Sequence, residues 1–306
     1  MKPDTAIRKL VTGDVTYGIL AAEQAKQFYK QIFEATPLSA MVRKERRKAK
    51  TGEVDKIAIG SRLLRAKVEG PTGDDGYRAA PTFGRIPYTC ARYKLPWEIS
   101  EDTIHDNIEE EGFEDTVMGL MTTQLGLDLE DLHWNGDGAT GPFLILNLGW
   151  WAQMVAGGHV VDASLTNGGV LCKDHFFQMK AALPEKYKSN PRIRWCMNGT
   201  TADAWQQAVS NRATAAGDLA LLGNAAQAPL GIDIVKVSSL ADGRVALTDP
   251  LNLIVVYTWD VRIRKAAEGK EAVMNDMRYY SIFLDDDPII EELDATAILT
   301  NCTLPL

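Results

Sequence analysis

An α+β subunit with a projecting two-stranded ribbon is expected from three features of the chain. These are charge sorted into blocks, a long hairpin pattern over residues 53–99, and one helical stripe sustained over residues 112–134. Residues 1–94 hold 19 Lys and Arg against 10 Asp and Glu, and residues 95–172 hold 14 acids with no Lys or Arg. Residues 173–306 hold 14 basic and 17 acidic side chains. Surfaces of single domains interleave both signs. A basic block followed by an acidic one implies that one part docks on another, and on a second copy where the basic part cannot fold back.

The 306 residues suffice for one large or two ordinary domains, and 45% apolar with 24% charged residues is the balance of a folded soluble protein. No apolar run reaches the ~18–20 residues of a membrane span. The nearest, Phe143–Val155, contains Asn147, Gly149 and Gln153. No basic-then-apolar leader pattern opens the chain, which argues against secretion. Cys90, Cys172, Cys196 and Cys302 form no CxxC pair and read as buried free thiols. A net charge of −8 argues against a general nucleic-acid binder.

The elements follow in order. Ala21–Glu34 reads as an amphipathic helix carrying Ala25, Phe28, Ile32 and Phe33, ended by Thr36-Pro37. A basic cluster follows (Arg43, Lys44, Arg46, Arg47, Lys48, Lys50) opposed only by Glu45. It reads either as a solvated loop or as a contact for an acidic partner surface or packaged nucleic acid. Val54, Ile57, Ile59, Leu63, Leu64, Ala66 and Val68 then form one arm of a hairpin. Phe83, Ile86, Tyr88, Cys90, Tyr93 and Leu95 form the other, around the turn formers of Gly70–Gly76. About seventeen residues per arm would reach roughly 55 Å. A ribbon that thin has little core and is marginal alone. It needs a bed, and its cations favour an acidic one.

Ser100-Glu101-Asp102 opens a helix with a capping hydroxyl and favourable carboxylates. Phe113, Val117, Leu120, Met121, Leu125, Leu129 and Leu132 form an i, i+3, i+4 stripe ended by Asn135-Gly136-Asp137-Gly138. Residues 139–172 read as loops and short strands. Helices are expected over Lys173–Leu183 and Thr200–Val209. Strands are expected over Arg192–Met197, Ile232–Val237, Val245–Leu247, Leu253–Arg264, Tyr279–Leu284 and Ala295–Cys302.

Motifs that carry chemistry are missing. The chain has no GxxxxGK[ST], HExxH, GxSxG or strand-borne GxGxxG. His105, His133, His159 and His175 lack ligand spacing. The run Asp131, His133, Asn135, Gly136, Asp137 echoes a calcium loop, but Pro142 stands where its twelfth-place Glu belongs. Asp285-Asp286-Asp287-Pro288 reads as a solvated charged turn, with divalent-ion binding as the alternative. No catalytic, cofactor or metal residue is assigned.

The order of parts resembles the major capsid proteins of tailed bacteriophages, the Hong-Kong-97 capsid fold. Gly18–Phe28 is similar to the family's start of the ordered arm, and Leu95–Asp102 to the exit from its extended loop. Residues 113–138 are similar to its spine helix and stop, Trp195–Asn198 to a strand-then-helix entry, and Ala246–Val255 to a late axial hairpin. The resemblance implies an N-terminal arm (1–52), an extended loop (53–99), a peripheral domain (100–189 and 261–306) and an axial domain (190–260).

It also implies a non-enzymatic subunit assembling into hexamers and pentamers of an icosahedral head around double-stranded DNA, made in the host cytoplasm and resident in the virion. In the family the loop of one subunit lies over its neighbour. Arg62, Arg65, Lys67, Arg85 and Arg92 would then meet Glu101, Asp102, Glu109, Glu110 and Glu114. Arg43, Lys44, Arg46, Arg47 and Lys48 form a second basic patch. Expected partners are further copies, a separate scaffolding protein (little chain precedes the arm), a portal, a decoration protein, and DNA by weak non-specific contact, with no membrane and no cofactor. No motif selects Lys56 or Lys67 for crosslinking. An encapsulin-type shell is the alternative within the fold, and an α+β enzyme using Asp285–Asp287 the alternative outside it.

Overall fold

The computed structural model describes residues 18–19, 37–58, 64, 66, 78, 80–102, 112–210 and 228–305. The expected helix over Ala21–Glu34 and most of the hairpin's outer half lie outside them. In chain order the elements are β1 (Gly18–Ile19), α1 (Pro37–Met41), β2 (Arg43–Arg46), β3 (Thr51–Ala58), β4 (Thr82–Thr89), β5 (Ala91–Ser100), α2 (Gly112–Asn135), α3 (Gly141–Leu144), α4 (Trp150–Gly157), β6 (His159–Asp162), α5 (Lys173–Ala182), α6 (Glu185–Lys188), β7 (Arg194–Met197), α7 (Gly199–Ser210), β8 (Ile234–Lys236), β9 (Val245–Thr248), β10 (Leu253–Tyr257), β11 (Arg262–Ala266), α8 (Lys270–Asn275), β12 (Met277–Ile290) and β13 (Ala297–Thr300).

Period-two burial builds the first sheet, ordered β6-β13-β9-β7-β8. Trp195, Met197, Val245, Leu247, Ala297 and Leu299 enter a core with Phe176 and Met179 of α5 and Trp205 of α7. The alternate residues Cys196, Ala246 and Ile298 face a second core with Trp134, Trp150, Met154 and Val255. That second core joins this sheet to the other one. The sheet draws strands from 159–162 and 297–300 as well as from 194–248, so it extends beyond the expected 190–260 segment.

The second sheet runs β1-β11-β12-β10-β2, with β5 also on β12. Its backbone is β12, which pairs antiparallel with β5 from Met277↔Ser100 to Asp286↔Ala91 and then with β10 from Asp287↔Val256 to Ile290↔Leu253. Pro96 is tolerated because, among the described residues, β5 has only β12 beside it in this sheet and needs no second ladder. Leu125 and Leu129 of α2 pack on Val261, Ile263, Ile282 and Leu284. Val117 of α2 packs with Ile99 and Tyr280, and Trp97 stacks on Tyr280 at 5.3 Å. Buried apolar side chains of this size contribute about 1.5–3 kcal/mol each.

Helix α2 matches its sequence stripe closely. Its stop works by close approach: Gly149 N donates to Gly136 O at 2.8 Å, and a Cβ on Gly136 would lie 2.6 Å from Asn147 O and 2.7 Å from Leu132 O.

Several expectations change. The hairpin's return arm breaks at Cys90: Thr82–Thr89 pair with β3, whereas 91–100 cross into the body sheet. Ser100 ends that strand instead of only capping a helix, and Glu101–Asp102 begin a helical turn. The expected strand Leu253–Arg264 is two strands with a corner at residues 258–261. Asp285–Asp287 form no turn, because they sit inside the 14-residue β12 with Asp285 and Asp286 buried. Residues 150–157, expected to be irregular, are helical because Trp150, Trp151 and Met154 bury one face. The basic cluster is partly a strand, β2, parallel to β10. Leu120 of the stripe is exposed. Cys172 and Cys302 are only partly buried, unlike Cys90 and Cys196, and all four are free.

Gly136→Ala is therefore expected to cost about 1–3 kcal/mol through overpacking. Gly119→Ala, on the exposed side of α2 with nothing within 4 Å of its Cβ, should stabilise by about 0.5–1 kcal/mol. Denaturant unfolding of both variants checks the contrast.

Candidate assembly interface

The ribbon projects from the point where β12 changes partners. Two backbone corners meet there, Thr89–Ala91 between β4 and β5, and Thr258–Asp260 between β10 and β11. Their N–H groups have left the ladders and need acceptors. Asp285 Oδ1 accepts from Thr258 N at 3.0 Å and Trp259 N at 2.9 Å, and its Oδ2 accepts from the Thr258 hydroxyl. Asp287 Oδ2 accepts from Thr89 N at 2.6 Å.

Asp286 points to the other face, as strand alternation requires. Its Oδ2 lies 3.0 Å from His133 Nε2, and its Oδ1 accepts from the Tyr93 hydroxyl at 3.0 Å and Asn147 Nδ2 at 3.1 Å. Asn147 Nδ2 also donates to the Tyr93 hydroxyl. Burial, then Asp286, drives the Tyr93 hydroxyl far above its usual range, so it stays a donor. Burial pushes the Cys90 thiol up to about 12, with Asp285 adding to the effect. Among the described residues no group of three or more His, Cys, Asp or Glu could hold a metal ion. The aspartates are occupied by backbone and side-chain donors.

The ribbon's inner end rests on its own subunit. Val54, Ile86, Tyr88 and Cys90 pack on Ile254, Val256 and Ile289. Its outer end carries the directly opposed pair Ile57↔Phe83, each 71% exposed, and beyond it Leu64. Arg62, Arg65 and Lys67 lie outside the described residues. Arg85 spans the ribbon to Glu53 at 3.0 Å and Asp55 at 3.5 Å. Arg92 belongs to the body, where it and Arg262 sandwich Trp259 at 4.1 and 4.3 Å.

The second basic patch is largely paired within the subunit. Arg43 meets Glu45 and Glu291, Arg46 meets Asp260, and Arg47 meets Glu45. Burial lowers the Lys44 ammonium to about 8. Lys48 is exposed at the turn into β3.

On the acidic side, Glu109 and Glu110 lie outside the described residues, and Asp102 is exposed. Glu101 and Glu114 converge on the buried Arg278, at 2.9 and 3.7 Å, and Glu114 also binds Lys265. Glu130 accepts from Ser238 and Asp131 from Asn135. Glu101 and Glu114 of the acidic block are therefore neutralised inside the subunit, and Glu130 and Asp131 are hydrogen-bonded there. What α2 offers outward is a stripe of Thr116, Leu120, Thr123 and Leu127, at helical spacing with Leu120 66% exposed. Leu120 keeps the spacing of the stripe in sequence but stands outside the buried face in the structure. Leu127, opposite in phase to Leu125 and Leu129, was the sign of a second apolar face.

A two-sheet body spanned by a long helix, with a ribbon leaving from the end of its long strand, is the Hong-Kong-97 fold of phage capsid subunits. No protein-family model matches the chain. It is 26% identical over 293 residues to YqbE of Bacillus subtilis strain 168, named as a prophage capsid protein, covering 92% of this chain and 91% of that one. A chain of the satellite phage P4 procapsid superposes with a TM-score of 0.68 at 15% identity, covering 98% of this chain and 94% of its own. A chain from the capsid of the empty GTA particle gives 0.59 at 15% identity, with 96% and 94% covered, and one from Microbacterium phage Oxtober96 gives 0.62 at 13%, with 95% and 96% covered. The structures show that the chain has the fold of phage capsid subunits, and the relative carries a capsid protein's name.

Replacing Arg278 by Met is expected to cost about 3 kcal/mol, at the low end for a broken buried pair because Glu101 remains partly exposed. Arg85→Met on the ribbon surface should cost less than about 1 kcal/mol. Urea midpoints of the two variants check this.

Proposed function

We propose that this chain is a major capsid protein whose copies join head to tail into hexamers and pentamers of an icosahedral shell enclosing double-stranded DNA. The observation that carries the reading is the exposed Ile57–Phe83 pair, on the ribbon face turned away from the body on which Val54, Ile86 and Tyr88 pack. Two apolar side chains facing each other across a thin ribbon gain by being covered. The complementary surface is α2, apolar on both sides: Val117, Leu125, Leu129 and Leu132 face inward, Leu120 and Leu127 outward. A helix with two apolar faces has two partners.

In this reading the ribbon of one subunit lies over α2 of the next. The contact is heterologous, which closes into rings where the rotation permits. Apolar burial supplies most of the affinity. Arg62, Arg65, Lys67 and Arg85 steer and set register against the neighbour's Asp102, Glu109 and Glu110, with Glu101, Glu114 and Arg92 secured inside each subunit. The segments 1–52, 53–99, 100–189 with 261–306, and 190–260 act as arm, extended loop, peripheral and axial parts. The basic cluster at 43–48 adds a weak contact to an acidic partner or DNA. Scaffolding, portal and decoration proteins complete the particle, assembled in the host cytoplasm.

Reversing Arg62, Arg65 and Lys67 to Glu should leave a folded subunit by circular dichroism and abolish rings and shells in negative-stain micrographs. Shells of normal number and shape from that variant would contradict the steering role. A wild-type protein that stays a monomer by light scattering, across salt and concentration, would contradict the capsid reading itself.

A further inference from the structure

The sheet around β12 has two faces, and α2 covers one of them. Ile263, Ile282 and Leu284 face that helix, with Tyr93 and Leu95 of β5 packed beside them. Strand alternation turns their neighbours the other way. These are Arg92 and Lys94 on β5, Arg262 and Arg264 on β11, and Ser281 and Phe283 on β12. The ladders align them: Arg262, Phe283 and Lys94 form one row across three strands, and Arg264, Ser281 and Pro96 the next, while Arg92 begins a third opposite Asp285. Strand and residue spacings put the four cations in a patch roughly 10 Å by 13 Å. All four are exposed.

Among the described residues no carboxylate pairs with any of them. The acids closest in the fold are engaged elsewhere. Asp285 is buried and holds the amides of Thr258 and Trp259. Asp260 pairs with Arg46 at 3.1 Å. Glu98 stands four positions along β5 from Lys94, about 13 Å away. The basic cluster at 43–48 is the opposite case, since Arg43, Arg46 and Arg47 all meet carboxylates of their own subunit. Aromatic rings hold the uncompensated donors in place. Trp259 lies between Arg92 and Arg262, and Arg264 lies 5.9 Å from the Phe283 ring. A guanidinium stacked on a ring keeps its N–H edge free and loses little freedom when it binds an oxyanion.

We propose that this sheet face binds the sugar–phosphate backbone of nucleic acid, without sequence preference, and is the surface that meets the double-stranded DNA inside the shell. The second clause rests on the capsid reading; the binding itself does not. Rows of cations interleaved with Trp259, Phe283 and Tyr279 match a repeating polyanion, and phosphate contacts carry no sequence information. An acidic patch on a second copy is the other possible occupant. The acidic block that would supply it is already neutralised at Glu101 and Glu114.

The net charge of −8 opposes the approach of DNA, so the contact is weak in dilute solution and becomes effective where DNA is confined at high concentration. Four phosphate contacts predict a slope of log affinity on log salt of about −3.6, a loss on the order of a hundredfold between about 50 and 200 mM salt.

Fluorescence anisotropy of a labelled random-sequence DNA duplex, titrated with the full-length protein across salt, tests this. Arg262→Gln combined with Arg264→Gln should reduce the slope by about two and weaken binding about tenfold or more at low salt. Lys48→Gln combined with Lys50→Gln, in the exposed turn of the basic cluster, should reduce it less. In the wild type, DNA should shield Lys94 from acetylation more than Lys48, read by mass spectrometry, which decides the matter if the arginine variant does not fold. No binding by the wild type, an undiminished slope in the arginine variant, or an equal reduction in the lysine variant would overturn the proposal. So would Lys94 shielded equally in DNA-free assemblies, which marks a face buried between copies. Light scattering reads assembly separately: a protein that binds DNA as expected but stays a monomer refutes the capsid reading and leaves the binding face standing.

Discussion

The structure depends on one strand that changes partners midway. From Met277 to Asp286, β12 forms the centre of a ladder with β5 and β11, and from Asp287 to Ile290 it runs beside β10. Any such changeover strands the N–H groups of the chains that leave, and buried amides without acceptors cost about 1–3 kcal/mol each. Three consecutive aspartates answer this: the first serves the β10–β11 corner, the third the β4–β5 corner, and the second faces the opposite way into the spine helix. Three adjacent acids are an unfavourable composition for a strand interior. They are stable here because both oxygens of Asp285 and Asp286 and Oδ2 of Asp287 meet a donor or a neighbouring ring nitrogen.

From that changeover the rest of the architecture follows. It frees β4 to leave the body as one half of a ribbon, and it sets the ribbon's root over Ile254, Val256 and Ile289 while its outer end carries exposed apolar side chains. It also separates the charges differently from their order in sequence. Arg43, Arg46, Arg47, Lys56 and Arg85 find carboxylates within their own subunit, and Glu101 and Glu114 find cations there. The sorting of charge along the chain is thus partly a signature of internal pairing across distant segments. Apolar side chains left exposed include Ile57, Phe83 and Leu64 on one side, and Leu120 and Leu127 of α2 on the other.

Much of this was legible in the chain, and the failures have physical causes. Helix α2 was readable from end to end because Val117, Leu125, Leu129 and Leu132 keep helical spacing and Gly136 admits a close backbone approach. Two strands of the five-stranded sheet were readable, from the alternation over Arg192–Met197 and the apolar run Val245–Leu247. The corner at Cys90 was missed, although the alternation slips phase there: Ile86, Tyr88 and Cys90 are even-numbered, Tyr93, Leu95 and Trp97 odd. The same slip separates Ile254 and Val256 from Val261 and Ile263. A phase change in a period-two pattern marks a change of sheet, which residue type alone does not. The aspartates were misread because charge predicts solvent until their partners, contributed by residues 26–198 positions away, are known. Which leucines of α2 stay exposed is hidden for a related reason: an exposed Leu120 and a buried Leu125 are the same letter in the sequence.

The central claim is that the subunit completes its ribbon on a neighbour and not on itself. A cryo-electron microscopy reconstruction of the assembled particle tests this most directly. The account predicts density for residues 59–81 lying across α2 of the adjacent subunit, with Ile57 and Phe83 covered near Leu120 and Leu127. Density that instead folds those residues back onto the body of their own chain, leaving Leu120 and Leu127 open to solvent, would contradict it.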